Sequence, residues 1–197
     1  MEICNYSDYK KTLEIATEII LNGGIILYPT DTIYGLGCNG LNKKAVEKIE
    51  NIKDIKIRKP ISAMFGHIEI IKQYCKINEE QEKILIKYLP GPYTFILPLK
   101  KQIPLSMNNT LGVRIPNNKF CIDLGKIVKI PIASTSANLN GKEPQDKLEN
   151  IDKIIREKVD LIVDYEQPTK KEASTVVDIT DIKNIKLIRQ GAGEFKL

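Results

Sequence analysis

The 197-residue chain has no tryptophan and a single histidine, His67, and aromatic residues make up only 6% of it. A lone histidine excludes mechanisms that need two, and a Ser-His-Asp triad would have to use His67 without a GxSxG motif to support it. No apolar run approaches the roughly 20 residues of a membrane-spanning helix. The N-terminus also lacks the basic start and apolar stretch of a signal peptide. We therefore expect a cytoplasmic protein without a membrane partner.

The four cysteines are also uninformative as a motif, because they are scattered over the chain and form no CxxC pair. They are Cys4, Cys38, Cys75 and Cys121. This spacing argues against a zinc site or a redox motif. Scattered thiols fit a reducing compartment, where we expect them to be small buried apolar side chains.

The charge distribution says more than the total of +5. From Lys83 to Lys142 there are nine basic residues and one acid, whereas from Glu143 to Ile182 there are six basic residues and eleven acids. Such opposed blocks predict a positive surface for an anion such as a phosphate, a nucleotide or RNA. A solvated lysine-rich face explains the same pattern equally well.

Helical and extended segments alternate, and with 42% hydrophobic residues the chain can bury a sizeable core. Helices are predicted from Ser7 and Asp8 to Asn22, after Asn42, from Asn78 to Tyr88, around Phe120 and near 150–158. Strands are predicted at 25–28, 60–65, 131–135, 161–164, 174–179 and 185–189, and within PGPYTFILPL and LGVRIP. The glycine-rich stretch after Pro29 is predicted to be a loop. The pattern predicts one α/β domain over residues 1–197, with a mixed sheet flanked by helices.

Polar clusters lie at the ends of several predicted strands, where functional residues concentrate. They are PTDTIYGLG (29–37), KDIKIRKP (53–60), TLGVRIP (110–116) and STSAN (134–138). The first three also have a purely structural explanation: a turn, cations at a helix C-terminus, and a surface arginine on a half-exposed sheet. The hydroxyl groups and the amide of the fourth can line a nucleotide crevice at the carboxyl end of a strand. In TLGVRIP the strand alternation directs Arg114 away from the side on which Val113 and Ile115 lie.

Together the clusters supply hydroxyl groups, an amide and cations, but few candidate bases or nucleophiles. That inventory favours the positioning and electrostatic stabilisation of a transferring phosphoryl group over covalent catalysis. A Walker A loop and a complete GxGxxG fingerprint are both missing from the sequence.

These clusters, in this order, resemble the YrdC family of threonylcarbamoyl-adenylate synthases, which act in tRNA modification. The resemblance runs from about Ala16 to Gly191 and includes PGPYT, STVVD (174–178) and IRQG (188–191). It implies a single α/β domain whose twisted mixed sheet holds the substrates on a concave positive face. It also implies a nucleotidyltransferase that converts L-threonine, bicarbonate or CO₂, and ATP into threonylcarbamoyl-AMP and pyrophosphate. A separate transferase would then carry the threonylcarbamoyl group to tRNA.

The resemblance also assigns roles to individual residues. The positions that match threonine binding are Thr32, Arg114, Ser136 and Ser174. The positions that match ATP binding are Lys53, Lys59, Thr110, Asn138 and Arg189. A planar guanidinium suits a carboxylate, which agrees with the role of Arg114. Mg²⁺ is expected to be held by ATP oxygens and water, and Asp31 is a candidate to bind the waters around the ion rather than the ion itself.

Two departures from the family pattern concern the phosphates. The arginine of the family's Lys-x-Arg pair falls on Ile55, and a histidine often found after the KP strand falls on Met64. Lys56 or Arg58 would have to replace the missing cation, or triphosphate handling is weakened. The chain stops soon after IRQG, so the C-terminal domain of longer relatives is not expected.

Two alternatives stay open beside the synthase. The first is a non-catalytic or weakly active paralogue that binds RNA or nucleotide through its basic segment. The second is a related carbamoyl-adenylate domain of the kind found in hydrogenase-maturation proteins, which the absence of a fused zinc-finger or transferase segment disfavours.

Overall fold

The computed structural model describes residues 2–5, 8–57, 59–164, 168 and 172–196. The helices are α1 (Tyr9–Leu21), α2 (Lys43–Ile52), α3 (Ile68–Tyr74), α4 (Glu79–Tyr88), α5 (Lys119–Val128) and α6 (Lys153–Glu157). The strands are β1 (Glu2–Asn5), β2 (Ile25–Pro29), β3 (Tyr34–Asn39), β4 (Ser62–Met64), β5 (Tyr93–Pro98), β6 (Thr110–Arg114), β7 (Ile132–Ser136), β8 (Leu161–Asp164), β9 (Thr175–Asp178) and β10 (Lys186–Arg189). None of the helices within these ranges is long and apolar enough to cross a membrane.

Side-chain caps set the starts of the predicted helices. The Asp8 carboxylate accepts a hydrogen bond from the Lys11 amide at the start of α1, and Asn42 caps α2 in the same way. Asn78 and Gln81 form the predicted capping box, in which each side chain accepts a bond from the other's backbone amide. These bonds satisfy amides that lack a partner within the helix, which confirms the three predicted starts. Ser7, the other predicted cap of α1, lies outside the described residues.

The predicted glycine-rich loop is wrong, because residues 34–39 form strand β3. The buried ring of Tyr28 crosses this strand, and a Cβ on Gly37 would lie 2.8 Å from Tyr28 Cε1. Glycine is therefore required by a close approach within the sheet rather than by a turn. The expectation also missed α3, which His67 caps through Nδ1, and the short strand β1.

The described strands form one ten-stranded sheet in the order β1-β8-β2-β3-β7-β4-β6-β5-β9-β10. The pairs β1–β8, β8–β2, β4–β6 and β5–β9 are parallel, and the other neighbours are antiparallel. The sheet is thus mixed, as the clustering of strands after residue 94 predicted.

Helices cover the two faces of the sheet unequally. One face packs against α2, α3 and α4 in a large core. On the other face, α1 and α5 form a second, smaller core with residues of β2, β4, β7 and β8, and α1 also contacts β1 and β3. Beyond them β5, β6 and β9 contain half-buried residues as well as buried ones, in strict alternation only in β9, so half of this face is open. We call this half, formed by β6, β5 and β9, the open face.

Three of the cysteines match their predicted structural role. Cys38, Cys75 and Cys121 are buried free thiols. Burial raises the pKa of Cys38 and of Cys75 to about 12 and also raises the pKa of Cys121. Because a thiolate is the reactive form, these side chains are unreactive near neutral pH.

Candidate functional site

A small polar cavity of about 140 Å³ lies where the helical cover of the sheet ends and the open face begins. Its polar side chains come from β4, β5, β6, β7 and β10 and from the segments that flank β2 and β9. They include Thr30, Ser62, Thr94, Arg114, Ser134, Ser136, Ser174 and Arg189. Four residues of the predicted site, Arg114, Ser136, Ser174 and Arg189, therefore meet at one cavity.

Strand register explains why these groups point the same way. Ser62 lies opposite Ser134 on the neighbouring strand, and Met64 lies opposite Arg114 on the other side. Directly opposed residues share a face of the sheet, and so do alternate residues of one strand. Ser62, Ser134, Ser136 and Arg114 consequently share the face of α1 and α5. Ser62 was not predicted, since a single serine inside PISAMF carries no signal beyond a strand.

Arg114 is buried and forms an ion pair with Asp31. Its Nη2 lies 2.8 Å from Asp31 Oδ1 and 3.3 Å from the Thr32 hydroxyl. The other carboxylate oxygen of Asp31 accepts a hydrogen bond of 3.0 Å from the Asn117 amide. Arg114 is thus not the surface arginine of the structural alternative. Asp31 is engaged in orienting this guanidinium, which differs from its expected place behind a metal's water shell.

The guanidinium of Arg114 has a buried donor that is not satisfied. Its Nε is buried and has no hydrogen-bond partner within the part of the chain that the structure describes. A buried donor without a partner is costly, so a ligand that supplies an acceptor would be stabilised here. Arg114 lines the cavity, and an anionic oxygen is the natural acceptor for it.

Arg189 is the second arginine of the cavity. Its Nε and Nη2 donate to the Ser174 carbonyl at 3.1 and 2.7 Å, and the Ser174 hydroxyl bonds the Thr94 hydroxyl at 2.8 Å. Much of Arg189 is exposed, but its guanidinium end is partly enclosed. This enclosure, and then the charge of Arg114, lower the pKa of Arg189. Two arginines close enough to repel each other favour an anion between them.

Lys53 does not point into the open cavity. It is buried, and its Nζ donates to the Ser136 carbonyl, to the Asn138 carbonyl at 2.7 Å and to Asn138 Oδ1 at 3.4 Å. Burial, and then the charge of Lys59, lower the pKa of Lys53 to about 8. The side-chain nitrogen of Asn138, Nδ2, in turn donates to the Leu139 and Lys142 carbonyls. Lys53 and Asn138 therefore hold the turn that follows Ser136.

Two of the other predicted cations are exposed, and the third lies outside the described residues. Lys59 is exposed and bonds Asn140 Oδ1 at 2.9 Å, directly before Pro60 in the cavity wall. Lys56 is exposed, and Ile55 is half-buried. Arg58 lies outside the described residues. Met64, where the family often has histidine, is fully buried in the core beneath α1 and α5.

Two further predicted residues lie beside the cavity. Thr32 is fully buried behind Arg114, and its hydroxyl bonds Thr30 Oγ1 at 2.9 Å. Thr110 begins β6, four residues before Arg114 and on the same face, which places it about 13 Å away along the strand. Gly112 lies between them, so no side chain separates the cavity from Thr110 along β6.

The side chains around the site offer few ligands for a metal ion. The described residues hold no group of three or more His, Cys, Asp or Glu side chains that could bind one ion. His67 is exposed at the start of α3 and is absent from the cavity wall. The cavity can therefore orient an anion and donate hydrogen bonds to it, but its side chains do not form a metal cage.

Comparison with known proteins places this site in a family. The Sua5/YciO/YrdC family model, described as "Telomere recombination", matches residues 18–191. A protein of Methanocaldococcus jannaschii, named as a candidate threonylcarbamoyl-AMP synthase, is 39% identical over 188 residues, which cover 95% of this chain and 89% of that protein.

Two solved structures share the fold. Pyrococcus abyssi Sua5 complexed with L-threonine superposes with a TM-score of 0.89 at 29% identity, covering 97% of this chain and 58% of that one. Escherichia coli YciO, an uncharacterised protein, superposes with a TM-score of 0.83 at 30% identity, covering 93% and 91%. The chain thus spans less than two thirds of the Pyrococcus protein. The family match, the identity and the shared fold agree with the motifs of the sequence, and the chain belongs to the Sua5/YciO/YrdC family.

Proposed function

We propose that this protein is an L-threonylcarbamoyladenylate synthase, a nucleotidyltransferase that uses L-threonine, bicarbonate or CO₂, and ATP. The observation that carries the proposal is the polar cavity itself, which is lined by Arg114, Arg189 and several Ser and Thr residues. Relatives that bear the synthase name, and a relative solved with L-threonine, support the same activity.

The cavity suits the amino acid. Arg114 would bind the threonine carboxylate, and the hydroxyls of Ser136 and Ser174 would bind its polar groups. Thr32 would act through its contact with Arg114, since it is buried behind that side chain. A carboxylate placed on Arg114 would also provide the acceptor that Nε lacks.

The nucleotide needs more room than the cavity offers. Sites for ligands of drug-like size usually enclose about 300–1,000 Å³, so ATP would extend from the cavity over the open face. Thr110 marks the far end of that path, and Arg189 and Lys59 would meet the phosphates near the cavity. Asn138 and Lys53 would contribute through the turn after Ser136, while Lys56 and Arg58 are the candidates to replace the cation missing at Ile55.

The proposed chemistry requires positioning more than proton transfer. The threonine amine adds to CO₂ and loses a proton to give a carbamate. A carbamate oxygen then attacks the α-phosphorus of ATP, the bond between that phosphorus and the bridging oxygen breaks, and pyrophosphate leaves. Arg114 and Arg189 would offset the negative charge that gathers as the two anions approach.

Magnesium would enter with ATP as part of the substrate. The described residues offer no carboxylate cluster for the ion, so ATP oxygens and water would supply its ligands. The product, a mixed anhydride, would be consumed by a separate transferase that modifies tRNA. Direct contact with that transferase or with tRNA is part of this proposal.

The proposal is tested by pyrophosphate release from ATP with purified protein. We expect release that depends on L-threonine, bicarbonate and Mg²⁺ together, and that falls to background when any one of them is omitted. Release that ignores threonine, or none with any divalent metal, would exclude the synthase. A structure with ATP in which none of Lys53, Lys56, Arg58 and Lys59 approaches the phosphates would also end the assignment.

RNA binding without catalysis is the competing proposal, and the exposed lysines Lys126 and Lys129 on α5 and at its end favour it. It predicts RNA affinity that falls steeply with salt and weakens in Lys126→Ala/Lys129→Ala, but is unchanged in Arg114→Ala. The synthase proposal predicts instead that Arg114→Ala lowers pyrophosphate release and that Lys126→Ala/Lys129→Ala leaves it unchanged.

A further inference from the structure

Thr175, at the start of β9, makes hydrogen bonds to the chain segment that follows Arg189. Its side chain is fully buried. The hydroxyl accepts bonds from the Gly191 amide at 3.0 Å and the Gly193 amide at 3.1 Å, and it donates to the Gly193 carbonyl. One hydroxyl group thus uses its single hydrogen and both lone pairs on residues 191–193.

This segment continues directly from Arg189. The pairing between β9 and β10 shifts register between Leu187 and Arg189, so the ladder is irregular just where the arginine leaves it. Beyond that point the Thr175 hydroxyl holds the backbone. Arg189 itself bonds the carbonyl of Ser174, the residue before Thr175. The side chain of Arg189 and the backbone that follows it are therefore bonded to two adjacent residues.

An aromatic side chain closes the other side of the segment. The Tyr93 hydroxyl donates to the Glu194 carbonyl at 2.9 Å, and a Cβ on Gly193 would lie 2.5 Å from Tyr93 Cζ. The segment therefore lies between the Thr175 hydroxyl and the Tyr93 ring, and a side chain at position 193 would not fit against that ring.

We propose that Thr175 is a positioning residue: its hydroxyl fixes residues 191–193 and thereby the direction in which Arg189 presents its guanidinium to the cavity. The inference rests on the proposed function, in which Arg189 meets the phosphates of ATP. Thr175 is fully buried and does not line the cavity. Its loss should weaken the binding of ATP selectively, because Arg114, which would bind threonine, is held separately by Asp31.

The test compares Thr175→Val with Thr175→Ser. Valine keeps the branched shape that suits a strand but removes the hydroxyl, whereas serine keeps the hydroxyl. Thr12→Val is the matched control, since it removes a buried hydroxyl that bonds the Asp8 carbonyl in α1, away from the cavity. Thermal unfolding shows that each variant is folded at the assay temperature.

We expect Thr175→Val to raise the KM for ATP by about tenfold, which is the usual effect of losing one hydrogen bond between charged groups, here the bond from Arg189 to a phosphate. The KM for threonine should stay within about twofold of wild type. Thr175→Ser and Thr12→Val should stay within about twofold for both substrates. An unchanged KM for ATP in Thr175→Val, equal changes in both KM values, or no recovery with serine would overturn the inference.

Gly193→Ala provides a second variant that leaves the Thr175 hydroxyl in place. The added methyl group would collide with the Tyr93 ring and displace the same segment from its other side. It should also raise the KM for ATP without changing that for threonine. A uniform loss of kcat with both KM values unchanged would mean a merely structural role for the segment.

A readout without substrate separates this inference from the proposed function. Arg189 Nε donates to the Ser174 carbonyl, so its N–H should exchange slowly with solvent in wild type and in Thr175→Ser. In Thr175→Val, exchange at this group and at the Gly191 and Gly193 amides should accelerate by about tenfold or more. Unchanged exchange would contradict the role of Thr175, whereas wild-type protein without pyrophosphate release would contradict only the synthase.

Discussion

The guanidinium of Arg114, the last residue of β6, and the carboxylate of Asp31 form a buried ion pair in which Nη2 lies 2.8 Å from Oδ1. The two residues are separated by 83 positions in sequence. Asp31 offsets the charge of Arg114, and Arg114 Nε has no hydrogen-bond partner among the residues that the structure describes. Arg189 then supplies the excess positive charge of the cavity, which favours anionic groups there.

Asp31→Asn should destabilise the protein. The substitution leaves the buried charge of Arg114 without its counter-ion, and breaking a buried pair of this kind costs about 3–5 kcal/mol. Urea denaturation measures the change in the free energy of unfolding. The double variant Asp31→Asn/Arg114→Gln is the control, since removing both charges should cost less than the sum of the two single changes. Additive effects would show that the two side chains do not interact.

Arg114→Lys should raise the KM for threonine by at least about tenfold. Lysine keeps the charge but loses the planar fork that binds a carboxylate through two donors. The KM for ATP should change much less, because the phosphates are assigned to other cations. Lys126→Ala, an exposed lysine on α5, is the control and should resemble wild type. Steady-state pyrophosphate release measures both constants, and an unchanged KM for threonine would exclude Arg114 as the carboxylate ligand.

Lys53 should make stability rise with pH at the alkaline end. In the unfolded chain its pKa is near the ordinary 10.5, whereas burial lowers the folded-state pKa to about 8. Between these values the unfolded state binds more protons, so the free energy of unfolding rises with pH. Below pH 8 both states are protonated, and the cost of burying the charge is constant.

The variant Lys53→Met isolates this contribution. The raised pKa values of buried Tyr28 and Tyr34 act in the opposite direction at high pH, so only the difference between wild type and variant is informative. Denaturation from pH 7 to 10 should show wild type gaining stability relative to Lys53→Met above pH 8. Parallel pH profiles would mean that Lys53 has an ordinary pKa in the folded protein.

Ile55→Arg should lower the KM for ATP several-fold. The resemblance implies an arginine at this position, and Ile55 is only half-buried, so the longer side chain can reach solvent. Ile55→Gln, which is polar but uncharged, is the matched control and should leave the KM for ATP near wild type. An arginine without effect would indicate that the phosphates are already bound by a cation elsewhere in the KDIKIRKP segment.

Local patterns made much of the fold predictable. The caps Asp8, Asn42 and Asn78 each bond an amide three residues later in the chain, so the helix starts could be predicted from the local sequence. β3 was not predictable in this way. Its glycines are dictated by the ring of Tyr28 on the next strand, and such a contact depends on sheet register rather than on neighbouring residues.

The candidate site was predictable in its members but not in its geometry. The motifs at strand ends include Arg114, Ser136, Ser174 and Arg189, and β-sheet pairing brings these residues to one cavity. The same motifs do not reveal that Lys53 bonds the carbonyls of Ser136 and Asn138, because both contacts span more than 80 residues. The sequence suggested Lys53 as a phosphate ligand, and in the structure its Nζ bonds the turn after Ser136.

The most direct test of the central claim is to follow the carbon of bicarbonate. Protein incubated with ¹³C-bicarbonate, L-threonine and Mg²⁺-ATP should form a product in which the labelled carbon is bonded to the threonine nitrogen and linked through oxygen to the phosphorus of AMP. Mass spectrometry and ¹³C NMR detect both bonds. Labelled threonylcarbamoyl-AMP, formed in step with pyrophosphate, is the predicted result. ATP consumption without the labelled anhydride, or no consumption at all, would contradict the account.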